Sequence, residues 1–268
     1  MNDLSLDEIK NIELEMLIYV DNLCRKNNLN YSLGYGTLLG AIRHKGFIPW
    51  DDDVDLMMLR KDYDKLIELI ENDNSIYKVI SYKNTKKYSY YFVKIVDSRT
   101  HLIEDHNYEL DEFGVFIDIF PIDNISNDII SSRKSFSHNK FKGYLTVASN
   151  WKHFYFNRSR RKLRQIPRFI FYILSRFVNS KKILNGLEKK YSINENTAYV
   201  GCVASYKERG IYPLYYFSSY VDIVFENYKF MSIEYYDEFL KQEYGQYMEL
   251  PPADKQVTHH TFKAYYRR

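Results

Sequence analysis

Apolar residues recur along the first part of the chain at spacings that alternate between helical and strand-like. Ser5 and Glu8 form a capping-box pattern, and helical spacing then continues to about Arg25. Apolar and polar residues alternate over residues 29–33, which predicts a short strand. The pattern goes on to predict a helix over 38–42, a strand over 53–59, a helix over 60–71, and strands near 76–82, 90–96 and 114–120.

The second half of the chain has fewer strand signals, and helical spacing dominates it. Helices are predicted near residues 128–148, 160–177, 181–190 and 233–244. Helices alternating with strands over residues 1–124 favour an α/β or α+β arrangement, and we predict the α+β class: a mixed sheet with flanking helices, followed by a mainly helical region over 125–268. The change of composition near residue 124 is gradual, so the two regions can form one compact unit.

Composition adds few constraints beyond the size of the core. A chain of 268 residues can bury roughly three quarters of its unfolded surface. The net charge of only +3 does not call for nucleic acid as a partner. Cys24 and Cys202 lack metal-ligand spacing and are expected to be reduced, buried thiols of a cytosolic protein. No signal-peptide pattern begins the chain, and its longest apolar run, residues 169–174, is too short to cross a bilayer. We therefore expect a cytoplasmic protein, peripheral at most at the inner face of the membrane.

Four carboxylates stand within five residues at the start of the strand predicted over 53–59: Asp51, Asp52, Asp53 and Asp55. Because side chains alternate along a strand, Asp53 and Asp55 are expected on one face, about 7 Å apart. A shared divalent metal ion would relieve their mutual repulsion. The alternative is a solvated acidic turn that caps the following helix, although a cap needs one aspartate rather than four.

A single acid, Asp118, interrupts the apolar strand predicted over 114–120. A buried carboxylate costs on the order of several kcal/mol unless a cation or hydrogen bonds compensate it. A metal ion shared with Asp53 and Asp55 would supply that charge, and Asp118 is a candidate for metal ligation with a general-base role. The alternatives are a structural aspartate with satisfied hydrogen bonds, or one on the solvent face of the strand.

Several residues are candidates for binding phosphate. Gly36 and Thr37 lie in a glycine-containing turn between a predicted strand and a predicted helix, where free N–H groups and the helix dipole favour anions. Such turns are common, and this one matches neither a Walker loop nor a dinucleotide fingerprint. Arg43 follows the helix and Lys94 is the cation in an apolar strand, so both are candidate phosphate contacts, with solvated surface positions as the alternative. Lys207 and His259 are weaker candidates.

Three dispersed segments closely resemble the LicD/fukutin-type phosphotransferases, which have the nucleotidyltransferase fold. The resemblance lies in residues 36–55 (GTLLGAIRHKGFIPWDDDVD), residues 114–123 (GVFIDIFPID), and a C-terminal segment that comprises residues 244–252 (YGQYMELPP), Lys255 and His259-His260. It implies a nucleotidyltransferase-like mixed sheet as the catalytic core over residues 1–124. By position, Asp53 and Asp55 match the metal-binding pair of the family, Asp118 its third acid, and Gly36-Thr37 its phosphate turn.

The resemblance also implies a reaction. Members of the family transfer a substituted phosphate from a CDP-activated donor to a sugar hydroxyl of a cell-surface glycan precursor, using magnesium. We expect Mg²⁺, as two ions and with Mn²⁺ as the alternative, and phosphocholine as the favoured group, although related members transfer ribitol phosphate or other polyol phosphates. The expected partners are a CDP-linked donor and a lipid-linked or polymeric acceptor such as a lipopolysaccharide, teichoic acid or capsule precursor. Asp51 and Asp52 are expected to order the loop.

A long basic stretch occupies residues 129–187, which contain fourteen lysines and arginines and no acidic residue. Aromatic residues are interleaved with these cations. Such a composition suits an anionic membrane surface, where each cation contributes about 1 kcal/mol. Nucleic acid would also attract these cations, but no nucleic-acid-binding module accompanies them. A solvated helical face over an aromatic core is the third reading.

Two rival functions remain open on the sequence alone. A nucleotidyltransferase that moves NMP from an NTP to a small molecule or protein would use the same three acids but would release pyrophosphate. A basic peripheral scaffold whose acids only bind metal would be expected to lack an acid or the Gly-Thr turn, and this chain has all of them.

Overall fold

The computed structural model describes residues 3–104, 107–155, 163, 165–192, 197–203, 210–258 and 262–267. It confirms the α+β class, with helices and strands mixed along the chain. The helices are α1 Leu6–Lys26, α2 Tyr35–Arg43, α3 Arg60–Glu71, α4 Ile129–Ser149, α5 Gln165–Ser175, α6 Ser180–Tyr191 and α7 Tyr236–Tyr244. The strands are β1 Ser32–Leu33, β2 Asp55–Leu59, β3 Tyr77–Ile80, β4 Val93–Asp97, β5 Thr100–Glu104, β6 Phe116–Ile125, β7 Tyr199–Gly201, β8 Ile211–Pro213, β9 Tyr220–Phe225, β10 Tyr228–Ile233 and β11 Phe262–Tyr266.

A mixed sheet of seven strands forms the centre of the molecule. Its main path runs in the order β1-β2-β6-β4-β3, and β7 and β8 continue it from the second half of β6. β2 and β6 are parallel, whereas β4 lies antiparallel to β6 on its other side. The pairs β9–β10 and β5–β11 form two further antiparallel sheets. The sheet therefore takes strands from both sides of residue 124, and the division proposed there stays a prediction.

The first helix and the central strands build the core together. The capping box predicted at Ser5 and Glu8 is confirmed: the Ser5 side chain accepts from the Glu8 N–H, and the Glu8 carboxylate accepts from the Ser5 N–H. Helix α1 packs against β4 and β6. Its apolar stripe, which includes Met16, Leu17 and Val20, is fully buried. Both cysteines are buried and neither forms a disulfide, as expected from their spacing.

The helices predicted in the second half are confirmed within the described residues, but that half also contributes strands that the pattern did not predict. These strands, β7 to β11, are three to six residues long; β7 pairs with β6 and β11 with β5, whereas β8 pairs with β7 and β9 with β10. The predicted helix over 233–244 begins only at Tyr236, because residues 228–233 form β10. Within the described residues, the structure contains no helix of sufficient length and hydrophobicity to span a bilayer.

Candidate active site

Three charged side chains lie in one row across the central strands. Asp55 of β2 stands opposite Asp118 of β6, and Lys94 of β4 stands opposite Asp118 from the other side. Residues directly opposite on neighbouring strands project to the same face, and neighbouring strands lie about 5 Å apart. The structure thus brings together Asp55, Asp118 and Lys94, which the sequence predicted separately.

Lys94 compensates the charge of Asp118. Its Nζ donates to Asp118 Oδ1 at 2.6 Å and lies 3.4 Å from the centre of the Phe116 ring. Both side chains are nearly buried. The sequence expected a metal ion in this compensating role, whereas the structure shows that the chain itself supplies a cation. The assignment of Lys94 to phosphate stays a prediction.

The turn predicted at Gly36 and Thr37 is the first turn of α2, and it holds the first residue of the acid-bearing strand. The N–H of Asp55 donates to the Thr37 hydroxyl at 2.8 Å, and the carbonyl of Asp55 accepts from the Gly34 N–H at 2.8 Å. Thr37 is buried, so this hydrogen bond is shielded from water. The hydroxyl that the sequence assigned to a phosphate therefore fixes the backbone of Asp55, while its own proton stays available to another acceptor.

Gly36 allows an acid to approach the start of α2. A methyl group at this position would lie 2.7 Å from Asp51 Oδ2, closer than carbon and oxygen tolerate. A carboxylate at a helix N-terminus meets unpaired N–H groups and the positive end of the helix dipole. The glycine thus lets Asp51 occupy the place that the sequence assigned to a phosphate group.

Neighbouring acids contribute to a raised pKa at Asp55. The pKa of Asp55 lies well above its usual value because burial disfavours the charge, and because Asp53, Asp118 and Asp51 add repulsion that Lys94 only partly offsets. Asp52 is buried as well. The region therefore concentrates negative charge that a bound cation would stabilise.

A sixth acid, Glu13 of α1, was missed by the sequence reading. It is 2% exposed, and burial raises its pKa well above the usual value, with repulsion from Asp53, Asp52 and Asp118 adding to the shift. Within the described part of the chain, its Oε2 atom is buried without a hydrogen-bond partner. The signal was present in the sequence, because Glu13 interrupts the apolar stripe of α1 between Ile9 and Leu17.

The donor set suits a hard divalent cation. Carboxylate oxygens are the ligands that Mg²⁺ prefers, and the unpartnered Glu13 oxygen beside mutually repelling aspartates is the kind of group that a cation satisfies. Over the described residues, however, no three acidic, histidine or cysteine side chains already surround one point where a metal ion could sit. Binding would therefore require the carboxylates to turn towards a common centre.

The C-terminal segment closes over the end of α2. Arg43 donates to the carbonyl oxygens of Tyr247 and Glu249 at 2.8 and 3.2 Å. Burial of Tyr244 raises its pKa, and the charges of Asp55, Asp51 and Asp53 contribute. In the structure, Arg43 therefore holds the C-terminal segment against α2 through these hydrogen bonds. Its proposed contact with phosphate stays a prediction. Lys207, His259 and His260 lie outside the described residues.

Comparison with known proteins finds a matching family model and several similar proteins. The family model described as "LicD/FKTN/FKRP, nucleotidyltransferase domain" matches residues 28–167. The chain is 33% identical to the lipopolysaccharide cholinephosphotransferase LicD of Haemophilus influenzae over 275 aligned positions, which cover 99% of both chains. It is also 39% identical over 61 residues to an uncharacterized protein of Rickettsia prowazekii, covering 23% of each.

Proposed function

Because the chain belongs to the LicD family, we propose that it transfers phosphocholine from CDP-choline to a sugar hydroxyl of a cell-surface glycan precursor. The observation that carries the proposal is the row of Asp55, Asp118 and Lys94 across three neighbouring strands, with Asp51 and Asp53 beside it. The full-length similarity to a lipopolysaccharide cholinephosphotransferase supports choline phosphate as the transferred group.

The reaction follows from the chemistry of the diphosphate. The acceptor oxygen forms a bond to the phosphorus that carries choline, the bond between that phosphorus and the CMP oxygen breaks, and CMP leaves with the electron pair. A carboxylate of the cluster takes the hydroxyl proton, with Asp118 as the candidate. Asp53, Asp55 and Asp118 would hold magnesium, which when bound neutralises the diphosphate oxygens and stabilises the departing CMP.

Aromatic rings stand beside the acid row. Phe92 and Phe120 are 4.4 Å apart between ring centres, and Tyr90 lies 5.3 Å from Phe92. These rings already receive a cation, since Lys94 Nζ lies 5.4 Å from the Phe92 ring and 6.0 Å from the Tyr90 ring. Rings that stabilise an ammonium in this way also suit the trimethylammonium of choline.

Substitution of the acids tests the proposal. In magnesium buffer with CDP-choline, Asp55→Asn should lower CMP release by at least about a thousandfold, because each ligand orients and neutralises the reacting diphosphate. The fold should survive, since the substitution removes repulsion. Asp254→Asn, in an exposed segment, is the matched control and should retain full activity. A well-folded Asp55→Asn protein that still releases CMP would refute the role given to the acids.

The proposed acceptor places the protein at an anionic membrane, and α5 supplies a suitable surface. Its fully buried residues are the polar Gln165 and Ser175, whereas five apolar residues are exposed: Ile166, Phe169, Ile170, Ile173 and Leu174. This is the reverse of an ordinary surface helix. In the sequence, the helix lies within the basic stretch of residues 129–187, of which Arg158, Arg160, Arg161, Lys162 and Arg164 lie outside the described residues.

Co-sedimentation with vesicles tests the membrane surface. The protein should bind vesicles containing anionic lipid more tightly than neutral vesicles, and Ile170→Ser/Leu174→Ser should weaken that binding at least about tenfold. Val224→Ser/Tyr228→Ser on the β9–β10 hairpin removes comparably exposed apolar residues and serves as the control. Equal binding to both vesicle types, or equal binding by both variants, would exclude this surface.

A further inference from the structure

A large cavity lies apart from the acid row, where the loop before β4 meets the end of α5 and the start of α6. Its volume is about 970 Å³, and it is bordered by residues 82–89, Tyr108, Ser149 and residues 175–181. A cavity of this size can hold a ligand larger than a single inorganic ion.

The charges that line this cavity are all positive. It is bordered by five cations and by no carboxylate among the described residues: Lys83, Lys86, Lys87, Arg176 and Lys181. All five are exposed. Five cations around one concave surface repel each other, and an anionic ligand with several charges would relieve that repulsion.

Local contacts hold several of these cations at the rim. Arg176 donates to the Ala148 carbonyl at 2.6 Å, and Lys181 donates to the Lys83 carbonyl at 3.0 Å. Lys87 lies 4.2 Å from the centre of the Tyr108 ring. Lys83 is paired at 2.8 Å with Glu188, which does not border the cavity. Several of these cations are therefore held in place before a ligand binds, and each keeps N–H groups that can donate to a ligand.

Serine hydroxyl groups line part of the cavity, next to the first residue of α6. Ser149 Oγ contacts Ser89 Oγ at 3.1 Å and Ser180 Oγ at 2.7 Å. Ser180 is the first residue of α6, and Asn179 caps that helix through the Lys182 N–H. Hydroxyls and a helix N-terminus together with the cations form the donor set that phosphate oxygens accept from.

A row of packed aromatic rings lies between the cavity and the acid row. Tyr88 borders the cavity, its ring lies 5.3 Å from Tyr90, and Tyr90 lies 5.3 Å from Phe92 beside Lys94. Burial raises the pKa of Tyr88, and the charge of Asp118 adds to that shift, so the phenol is within the electrostatic range of the acid row. Packed aromatic rings thus lie between the cavity and the reacting centre. On its other side, the cavity is bordered by Phe177, which follows α5 and is 84% exposed.

We propose that this cavity binds a phosphate group carried by the acceptor glycan, close to the membrane-facing helix and to the acid row. The binding of phosphate stands on the cavity and its cations alone, whereas its assignment to the acceptor rests on the proposed transfer. The acids hold the donor, and the cavity holds the charged part of the acceptor.

Calorimetric titration of the protein with inorganic pyrophosphate in EDTA tests the site. The chelator removes any metal-mediated binding of pyrophosphate at the acids. Lys86→Gln/Lys87→Gln/Lys181→Gln should raise the Kd for pyrophosphate at least about tenfold. Lys26→Gln/Lys61→Gln/Lys229→Gln removes the same charge from exposed positions that do not border the cavity, and it should bind as the wild type does. Absence of binding by the wild type, or equal affinity of the two triple variants, would overturn the proposal.

A second arm separates an acceptor site from a site for inorganic anions. Glucose 1-phosphate should bind the wild type more tightly than inorganic phosphate and should lose that affinity in the cavity variant. Binding no tighter than inorganic phosphate would overturn the assignment to a glycan. Asp55→Asn separates this proposal from the proposed function: CMP release should be lost, while pyrophosphate affinity in EDTA should not change.

Discussion

Asp55 and Glu13 show at the residue scale how strongly the site is charged. Burial and neighbouring carboxylates disfavour the charged form of each side chain, so both have a raised pKa. Lys94 compensates only part of this charge, through its 2.6 Å contact with Asp118. The acids are therefore arranged for a cationic ligand rather than for the stability of the protein without it.

The raised pKa of Glu13 predicts how stability varies with pH. Because its pKa is above the unfolded value of 4.5, the folded protein keeps a proton that the unfolded chain releases. The free energy of unfolding in EDTA should therefore fall as the pH rises from about 4.5 through the raised pKa. Glu13→Gln should make this fall shallower.

Urea unfolding at several pH values measures this difference. Glu15→Gln on the same helix is the control, since the Glu15 side chain is 61% exposed and it should leave the pH dependence unchanged. Parallel curves for the Glu13→Gln variant and the wild type would show that this carboxylate does not carry the predicted penalty.

Gly36 and Gly40 of α2 are both tightly packed, but substitution by alanine is expected to affect the helix differently at the two positions. A methyl group at Gly40 would lie 2.5 Å from the Gly46 carbonyl, which belongs to the backbone and cannot swing away. At Gly36 the close contact is the end of the Asp51 side chain, which can. Gly40→Ala should thus lower the free energy of unfolding by about 1–3 kcal/mol.

Gly36→Ala should instead leave the fold as stable as before or slightly more stable, because alanine favours helix. It should displace Asp51 and lower CMP release from CDP-choline at least about tenfold. Chemical unfolding and CMP release, measured on both variants, distinguish the two effects. An equal loss of stability in both variants would contradict the role given to Gly36.

A buried ion pair joins α3 to β6. Arg60 donates to Asp123 Oδ1 at 2.7 Å and to Asp123 Oδ2 at 3.0 Å, and Tyr91 donates to the same carboxylate. Asp123→Asn should lower the free energy of unfolding by about 3–5 kcal/mol, because it removes the fully buried partner of Arg60 and leaves only the longer contacts with Asp64 and Glu188.

Asp64 provides the control for that pair. It contacts the same arginine at 3.4 Å, but its side chain is 58% exposed. Asp64→Asn should therefore cost less than about 1 kcal/mol. Similar losses in denaturant unfolding for the two variants would mean that burial does not determine the strength of this pair.

Across the whole molecule, the local spacing of apolar and polar residues predicted most of the helices and strands taken together. Helix α3 was predicted with its observed ends, and α1, α4 and α6 within one or two residues, because capping residues and helical spacing act over short distances. Strands β5 and β7 to β11 were missed. For β5, β7 and β11 the partner is distant in sequence, since β11 pairs with β5 about 160 residues earlier, whereas β9 and β10 form a local hairpin that the sequence reading overlooked.

The candidate site could be predicted in its residues but not in its pairings. Acids in a short loop and a lone acid in an apolar strand are visible in the sequence. That Asp118 lies between Asp55 and Lys94 depends on parallel and antiparallel pairing of β6 with two strands, which no local spacing contains. The cavity beside α6 could not be predicted either, because its cations come from two segments that are about 90 residues apart in the sequence.

The leaving group tests the central claim most directly, because it separates phosphocholine transfer from nucleotidyl transfer by the same acids. The protein would be incubated in magnesium with CDP-choline, CDP-ribitol, CDP-glycerol, CDP-ethanolamine or each of the four NTPs, with Asp53→Asn as the control. We predict CMP release from CDP-choline by the wild type, little from the other CDP donors, and none by the variant. Pyrophosphate released from an NTP, with no CMP from any CDP-linked donor, would contradict the account.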